Sequence, residues 1–223
     1  FANLEIEGCY ERVEVGAGQL KEFITKRGSE FDYLSLTMPL KEEVLQLGFA
    51  TSELALKSQS ANTLVKGDGS WSATSTDGTG FLQALAHREF TDFSSVLILG
   101  AGGTARAIAA ALDGIADSIT VLGRTSTREQ SFERIVSQSK FSYVIWSNAL
   151  SLEPFSLVVN TTPAGAADLL AEGIEGDISC LLFDMIYKPW PTVLAKKWSN
   201  LGAPVISGVE LLLYQGIEQL RIV

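Results

Sequence analysis

The chain has 223 residues and a mass of 24.0 kDa, enough for one large domain or two modest ones with real interiors. Its 46% hydrophobic and 19% charged residues exclude a mostly disordered chain. With 17 Lys plus Arg against 26 Asp plus Glu, the net charge of -9 speaks against wrapping nucleic acid or adsorbing to an anionic membrane, so a bound anion needs a local basic site.

Glu5, Glu7, Glu11 and Glu14 crowd the start, and no uninterrupted apolar run reaches ~18 residues, so neither signal peptide nor membrane span is expected. Strands are expected near residues 10–15 and 33–36, and a helix from Pro39. Gly, Ser and Asp clusters punctuate the chain at 66–70 and 75–80. From Ser94 the pattern becomes regular: a buried strand at 96–99, a glycine-rich turn, a helix over 105–112, a strand at 119–122 and a helix over 127–138. Short apolar strands near Val144, at 157–159 and at 181–183 follow. Continuous apolar strands between helices indicate a parallel sheet covered on both faces. The last segment, 208–223, sets Leu212, Tyr214, Gln215, Ile217 and Leu220 on a helical period. The prediction is two α/β lobes, one made of residues 1–85 plus 206–223 and the other of 86–205, with the terminal helix packing back on the first.

Cys9 and Cys180 are too few for a disulfide framework and too far apart in sequence for a ligand pair, which fits a reducing cytoplasm and leaves no thiolate zinc site. His87 is the one histidine, so acid–base work falls to Lys, Asp, Glu or Tyr.

Gly100-Ala101-Gly102-Gly103-Thr104-Ala105 follows a strand and opens an Ala-rich helix, the context a dinucleotide fingerprint requires. Its glycines let backbone approach a pyrophosphate, whose charge meets the free amides of the helix start. A tight turn without ligand is the plain alternative. The next strand ends in Gly123-Arg124-Thr125-Ser126-Thr127-Arg128. An NAD enzyme usually places a carboxylate there for the ribose 2'-hydroxyl. Arg124, Thr125 and Arg128 instead suit a 2'-phosphate, and basic residues at a helix start gain from an anion, so NADP is the expected cofactor.

In the first lobe, Ser35-Leu36-Thr37-Met38-Pro39-Leu40-Lys41-Glu42-Glu43 has the form of a strand end, a turn and a helix with Pro39 first. Glu42 and Glu43 suit a first turn, whereas Lys41 opposes the dipole. Taken alone, Lys41 is a solvated residue or a tuned base, and local physics favours the solvated one. Asp77-Gly78 taken alone is a turn, and Asn62-Thr63 a self-capping loop.

The pieces recur together and in order. Across its whole length the chain resembles the shikimate dehydrogenase family: at 35–41, Ser60-Ala61-Asn62-Thr63, Ser75-Thr76-Asp77-Gly78-Thr79-Gly80-Phe81, the Gly100 turn, Gly123-Arg124-Thr125, Asn160-Thr161-Thr162-Pro163-Ala164-Gly165, Asp184-Met185-Ile186-Tyr187-Lys188-Pro189 and Gly208 to Gln215-Gly216. That resemblance implies an N-terminal α/β substrate domain, a Rossmann-like doubly wound NADP domain, and NADPH-dependent reduction of 3-dehydroshikimate to shikimate in aromatic amino acid biosynthesis. It implies Lys41 as catalytic lysine with Asp77 as its partner, and Thr37, Asn62, Tyr187 and Gln215 around the substrate's hydroxyls. Gly100, Ala101, Gly102, Gly103, Thr104 and Ala105 would carry the pyrophosphate and Arg124, Thr125 and Arg128 the 2'-phosphate. Thr161, Thr162, Met185, Gly208 and Leu211 would serve the adenosine and nicotinamide ends.

The implied protein is a cytoplasmic monomer or homodimer acting on a small molecule. Ser35, Leu211 and Ala166 stand where the family usually has Asn, Met and Met, none of them a charge the mechanism needs. The family's first strand and Ser-x-Ser substrate-carboxylate motif would precede Phe1, which reads as truncation. Quinate/shikimate dehydrogenase activity and a non-catalytic NADP-binding homologue are the alternatives; the Lys41 and Asp77 pairing argues against the latter.

Overall fold

In the computed structural model, which describes residues 8–147, 151–152, 154–174 and 176–223, the chain forms two α/β lobes, each built on its own sheet. The first holds α1 (Leu20–Arg27), β1 (Tyr33–Ser35), α2 (Leu40–Glu43), β2 (Ala50–Thr51), α3 (Glu53–Ser58), β3 (Thr63–Gly67) and β4 (Ser70–Thr74). Its strands run in the order β1-β3-β4-β2, with β3 and β4 an antiparallel hairpin closed by Asp68 and Gly69, the two-residue turn that such a dipeptide favours. Leu20, Leu36, Leu40, Val44, Leu64 and Trp71 form this lobe's interior.

α4 (Asp77–His87) leads into the second lobe, which contains β5 (Ser95–Leu99), α5 (Gly103–Leu112), β6 (Ser118–Gly123), α6 (Glu129–Ile135), β7 (Lys140–Ile145), β8 (Leu157–Asn160), α7 (Asp168–Glu172), β9 (Leu181–Asp184), α8 (Val193–Asn200) and β10 (Val205–Ser207). Every ladder in its sheet is parallel, in the order β10-β9-β8-β5-β6-β7. That is the strand order of the dinucleotide-binding doubly wound fold. Alternation along β5 shows why its run is wholly apolar. Val96 and Ile98 pack with α4, α5 and α6 residues such as Phe81, Ile108 and Phe132. Leu97 and Leu99 face the opposite way, against Leu170, Leu194 and Trp198 of α7 and α8. The indole of Trp198, fully buried, donates to the Cys180 carbonyl at 2.9 Å, so its one polar atom is satisfied. Among the described residues no helix is long and apolar enough to cross a membrane.

α9 (Gly208–Ile222) returns to the first lobe, where the Gln219 amide donates to the Asn62 carbonyl at 3.2 Å and to Thr63 Oγ1 at 3.0 Å. The division after residue 205 falls inside β10, which pairs with β9 in the second sheet.

Three local expectations need correction. Residues 10–15 form no strand: Val13 and Val15 are half-buried, but among the described residues the segment joins no ladder that would hold it extended. The helix from Pro39 begins one residue later, at Leu40, and after one turn tightens to a 3₁₀ turn over Val44–Leu47. The helix expected over 127–138 is a 3₁₀ turn (Ser126–Arg128) followed by α6, which stops at Ile135. It stops because Asp113 Oδ1 accepts the amides of Ser137, Gln138 and Ser139 at 3.0, 2.8 and 3.0 Å, a stronger claim on those donors than a further helical turn. Burial pushes the Asp113 carboxyl up, but these amides and Lys57, at 2.9 Å, hold it well below the usual carboxylate range.

Candidate active site

The lobes face each other across a cleft of about 720 Å³ at the carboxyl ends of β5, β6 and β8, lined by Thr37, Lys41, the Gly100 turn, Arg124 and Thr161 among others. In an open parallel sheet this is where strand order reverses and ligands bind. A second cavity, of about 610 Å³, opens at the opposite ends of β5, β8, β9 and β10, and its one arginine, Arg88, is tied to Glu210.

At the first-lobe wall, α2 projects Lys41 into the cleft. The turn before it is closed by the Leu40 amide donating to the Thr37 carbonyl at 2.8 Å. Lys41 Nζ lies 2.6 Å from Asp77 Oδ2, with the lysine side chain 17% and the aspartate 4% exposed. Asp77 opens α4, whose helix start favours its negative charge. Asn62 fixes the other carboxylate oxygen: its amide reaches Asp77 Oδ1 and Thr76 Oγ1 at 2.9 Å and Gln215 Oε1 at 3.0 Å. Its own Oδ1 accepts from the Thr76 amide and Thr63 Oγ1 at 2.9 and 2.8 Å. Buried polar groups so fully bonded define one arrangement.

Glu42 and Glu43 do more than decorate a helix start. Glu43 accepts the Gly18 and Leu20 amides at 2.8 and 3.0 Å and so caps α1 from a distance. Glu42 meets Arg106 Nη2 at 2.8 Å and Arg128 Nη1 at 3.3 Å, both from the second lobe. Burial pushes Glu42 up, but the two guanidinium groups outweigh it and hold the carboxyl below its ordinary range. Arg106, 1% exposed on α5, also donates to the Ser58 and Gln59 carbonyls at 3.0 and 3.1 Å, while its Nη1 and the nearby Ser60 Oγ have no protein partner.

At the second-lobe wall the turn fits a dinucleotide. Gly100 has φ +101, and a Cβ there would sit 2.7 Å from Thr161 Oγ1, so the strand can bend only as glycine. Gly102 faces open space, and α5 starts with no side-chain cap on its first amides, which are the donors a pyrophosphate takes. Arg124 makes no ion pair among the described residues. Below Thr161 and Thr162, Asn160 Oδ1 accepts from the Thr162 amide and hydroxyl at 3.1 and 2.7 Å, and its amide donates to Asp184 Oδ1 at 3.0 Å. Thr192 Oγ1 donates to Asp184 at 2.6 Å, yet burial still raises the Asp184 carboxyl above its usual range.

Of the residues expected at the site, Thr37, Lys41, Gly100, Ala101, Gly102, Gly103, Thr104, Arg124, Thr125, Arg128, Thr161, Thr162 and Met185 line the cleft. Asn62, Asp77 and Gln215 stand behind Lys41 in its hydrogen-bond network. Ala105 is buried in α5, Gly208 backs onto the Met185 carbonyl, and Leu211 is buried in the interior with Phe81. Tyr187 is 55% exposed and lies outside the lining. His87 also stands apart, its ring 5.7 Å from that of Tyr214. Glu42 and Arg106 were not among the expected site residues; a lone arginine in an Ala-rich helix was the available signal.

A doubly wound dinucleotide lobe facing a lysine–aspartate pair across a cleft defines a nicotinamide-dependent oxidoreductase. No family model matches the sequence. A curated relative, the shikimate dehydrogenase (NADP(+)) of Exiguobacterium sibiricum, is 32% identical over 95% of this chain and 79% of its own length. The crystal structure of Mycobacterium tuberculosis shikimate dehydrogenase superposes with a TM-score of 0.87 at 32% identity, covering 98% of this chain and 83% of that one. The Thermus thermophilus shikimate 5-dehydrogenase, solved in complex with NADP(H) and shikimate, gives 0.84 at 27% identity over 99% and 84%. The chain belongs to the shikimate dehydrogenase family.

Proposed function

We infer that this protein catalyses the reversible NADPH-dependent reduction of 3-dehydroshikimate to shikimate, a step of aromatic amino acid biosynthesis. The observation that carries this reading is the Lys41–Asp77 pair, 2.6 Å apart, presented across one cleft from an uncapped glycine turn. The bound cofactor supplies hydride to the substrate's C3 carbonyl carbon. As charge develops on the carbonyl oxygen, Lys41 as ammonium hydrogen-bonds it and delivers a proton; in the reverse direction neutral Lys41 takes the hydroxyl proton. Asp77 keeps Nζ aimed and, with Thr37, Asn62 and Gln215, offers acceptors and donors to the ring hydroxyls. The amides at Gly102–Thr104 would hold the pyrophosphate, Arg124, Thr125 and Arg128 the 2'-phosphate, and Thr161, Thr162 and Met185 would serve the adenosine and nicotinamide ends. Tyr187, outside the cleft lining in this structure, is assigned to the same ring hydroxyls.

Following reduced-nicotinamide absorbance with shikimate and NADP, with NAD or quinate substituted in parallel, tests this. Turnover with shikimate and NADP, at least tenfold better in kcat/KM than with NAD, is expected. Cofactor binding without turnover would instead make the protein a binding homologue, and equal turnover of quinate a broader enzyme.

A further inference from the structure

β7, the edge strand of the second sheet, places Tyr143 beneath the segment that joins β6 to α6. The Tyr143 hydroxyl donates to the Thr125 carbonyl at 2.8 Å. Its ring lies against Gly123 so closely that a Cβ there would fall 1.8 Å from Oη and 2.4 Å from Cζ. A side chain at residue 123 would force the phenol out of this position. The ring also meets that of Phe132 of α6, with centroids 6.2 Å apart, and Phe132 is fully buried. One side chain therefore grips the segment at its start by contact, at its middle by a hydrogen bond and beyond its end through the following helix. Between those holds lie Arg124, Thr125 and Arg128, and Tyr143 itself lines the cleft with them.

We propose that Tyr143 is a positioning residue that sets cofactor choice, by holding Arg124 and Thr125 in the arrangement that receives a 2'-phosphate. This rests on the NADP reading above and extends it to a residue on a different strand. Arg124 makes no ion pair among the described residues, so the placement of the segment that carries it, rather than a partner for its guanidinium, decides where it points. Ordering before binding raises affinity by removing a cost that a mobile loop would meet on capture. Burial first, with the charge of Glu129 adding to it and Arg128 opposing it, raises the phenol pKa above its ordinary value, which favours the protonated, donating hydroxyl.

Calorimetric titration of adenosine 2',5'-bisphosphate and of ADP into the wild-type protein and Tyr143→Phe separates the cases without using turnover. Loss of one neutral hydrogen bond predicts weakening of the bisphosphate by about three- to tenfold, with ADP changed less than about twofold. In an Arg124→Ala background the same substitution should cost the bisphosphate less than about twofold, because the group being positioned is gone. An unchanged bisphosphate-to-ADP ratio in Tyr143→Phe, or an equal loss for both ligands, overturns the proposal and leaves Tyr143 a packing residue. Wild-type protein that binds both ligands alike overturns the NADP reading itself, and this inference with it.

Discussion

The two walls of the cleft are built on opposite principles. On the first-lobe wall Lys41, Asp77, Asn62, Thr76 and Gln215 are joined by hydrogen bonds of 2.6 to 3.0 Å, so the polar groups around Lys41 are satisfied by protein. On the second-lobe wall α5 starts without a side-chain cap and Arg124 has no ion-pair partner among the described residues. Fixed geometry serves a proton transfer, where orientation must be right before charge develops. Free donors serve a polyanion, which brings its own acceptors. Substitutions on the first wall should therefore act as a unit, and those on the second should act one contact at a time.

The largest effect tests the first half of that contrast. Lys41→Ala should lower kcat by roughly 10² to 10⁴ while shikimate still binds, since general acid–base groups act mainly in the transition state. Asp77→Asn should lower kcat and raise KM together if, as proposed, the carboxylate serves both lysine and a ring hydroxyl. The double variant should lose little more than the worse single one. Additive losses would show two independent residues, and a folded Lys41→Ala protein with near-normal kcat would remove Lys41 from the chemistry.

Arg106 joins the two walls and tests whether they are separable at all. It belongs to the cofactor helix but spends its guanidinium on Ser58, Gln59 and Glu42 of the other lobe. Arg106→Met keeps the volume, strands the Ser58 and Gln59 carbonyls and leaves Glu42 with Arg128 alone, so a cost of about 3 kcal/mol in unfolding free energy is expected from denaturant titration. A loss below about 1 kcal/mol would mean that the remaining contacts between the lobes, among them the α3–α5 packing and the Lys57–Asp113 and Glu42–Arg128 pairs, suffice without Arg106.

The same contrast explains what could be read without coordinates. The β5, turn and α5 unit was legible because strand, glycines and helix start are adjacent in sequence and each has its own local signal. Lys41 and Asp77 were legible only as paired motifs, since nothing local distinguishes that lysine from a solvated one. The partners that wire the first wall are far apart: Asn62 meets Gln215 across 153 positions and Gln219 meets Asn62 across 157. No periodicity reports such contacts. Glu42 fitted a helix-start rule so well that the rule concealed its use, and the overlong helix at 127–138 failed because Asp113, many residues earlier, captures the amides at 137–139.

The smallest effect concerns the two arginines of the cofactor wall, which sequence treats alike and structure does not. Arg128 Nη1 is already 3.3 Å from Glu42, whereas Arg124 makes no ion pair among the described residues. On the proposed cofactor assignment a 2'-phosphate would gain the full charge-assisted bond from Arg124, but from Arg128 only the difference between that bond and the Glu42 contact given up. The Glu42–Arg128 pair is solvent-exposed, at 42% and 49%, so it is weak but not free. Arg124→Ala should therefore cost about tenfold in NADP kcat/KM, about 1.4 kcal/mol, with NAD little changed. Arg128→Ala should cost only about two- to fourfold. Glu42→Gln should remove the competition and widen the gap between wild-type and Arg128→Ala proteins measured in that background. If the two alanine variants lose NADP equally and Glu42→Gln leaves the Arg128 effect unchanged, Glu42 does not compete for that arginine, and its role is confined to Arg106.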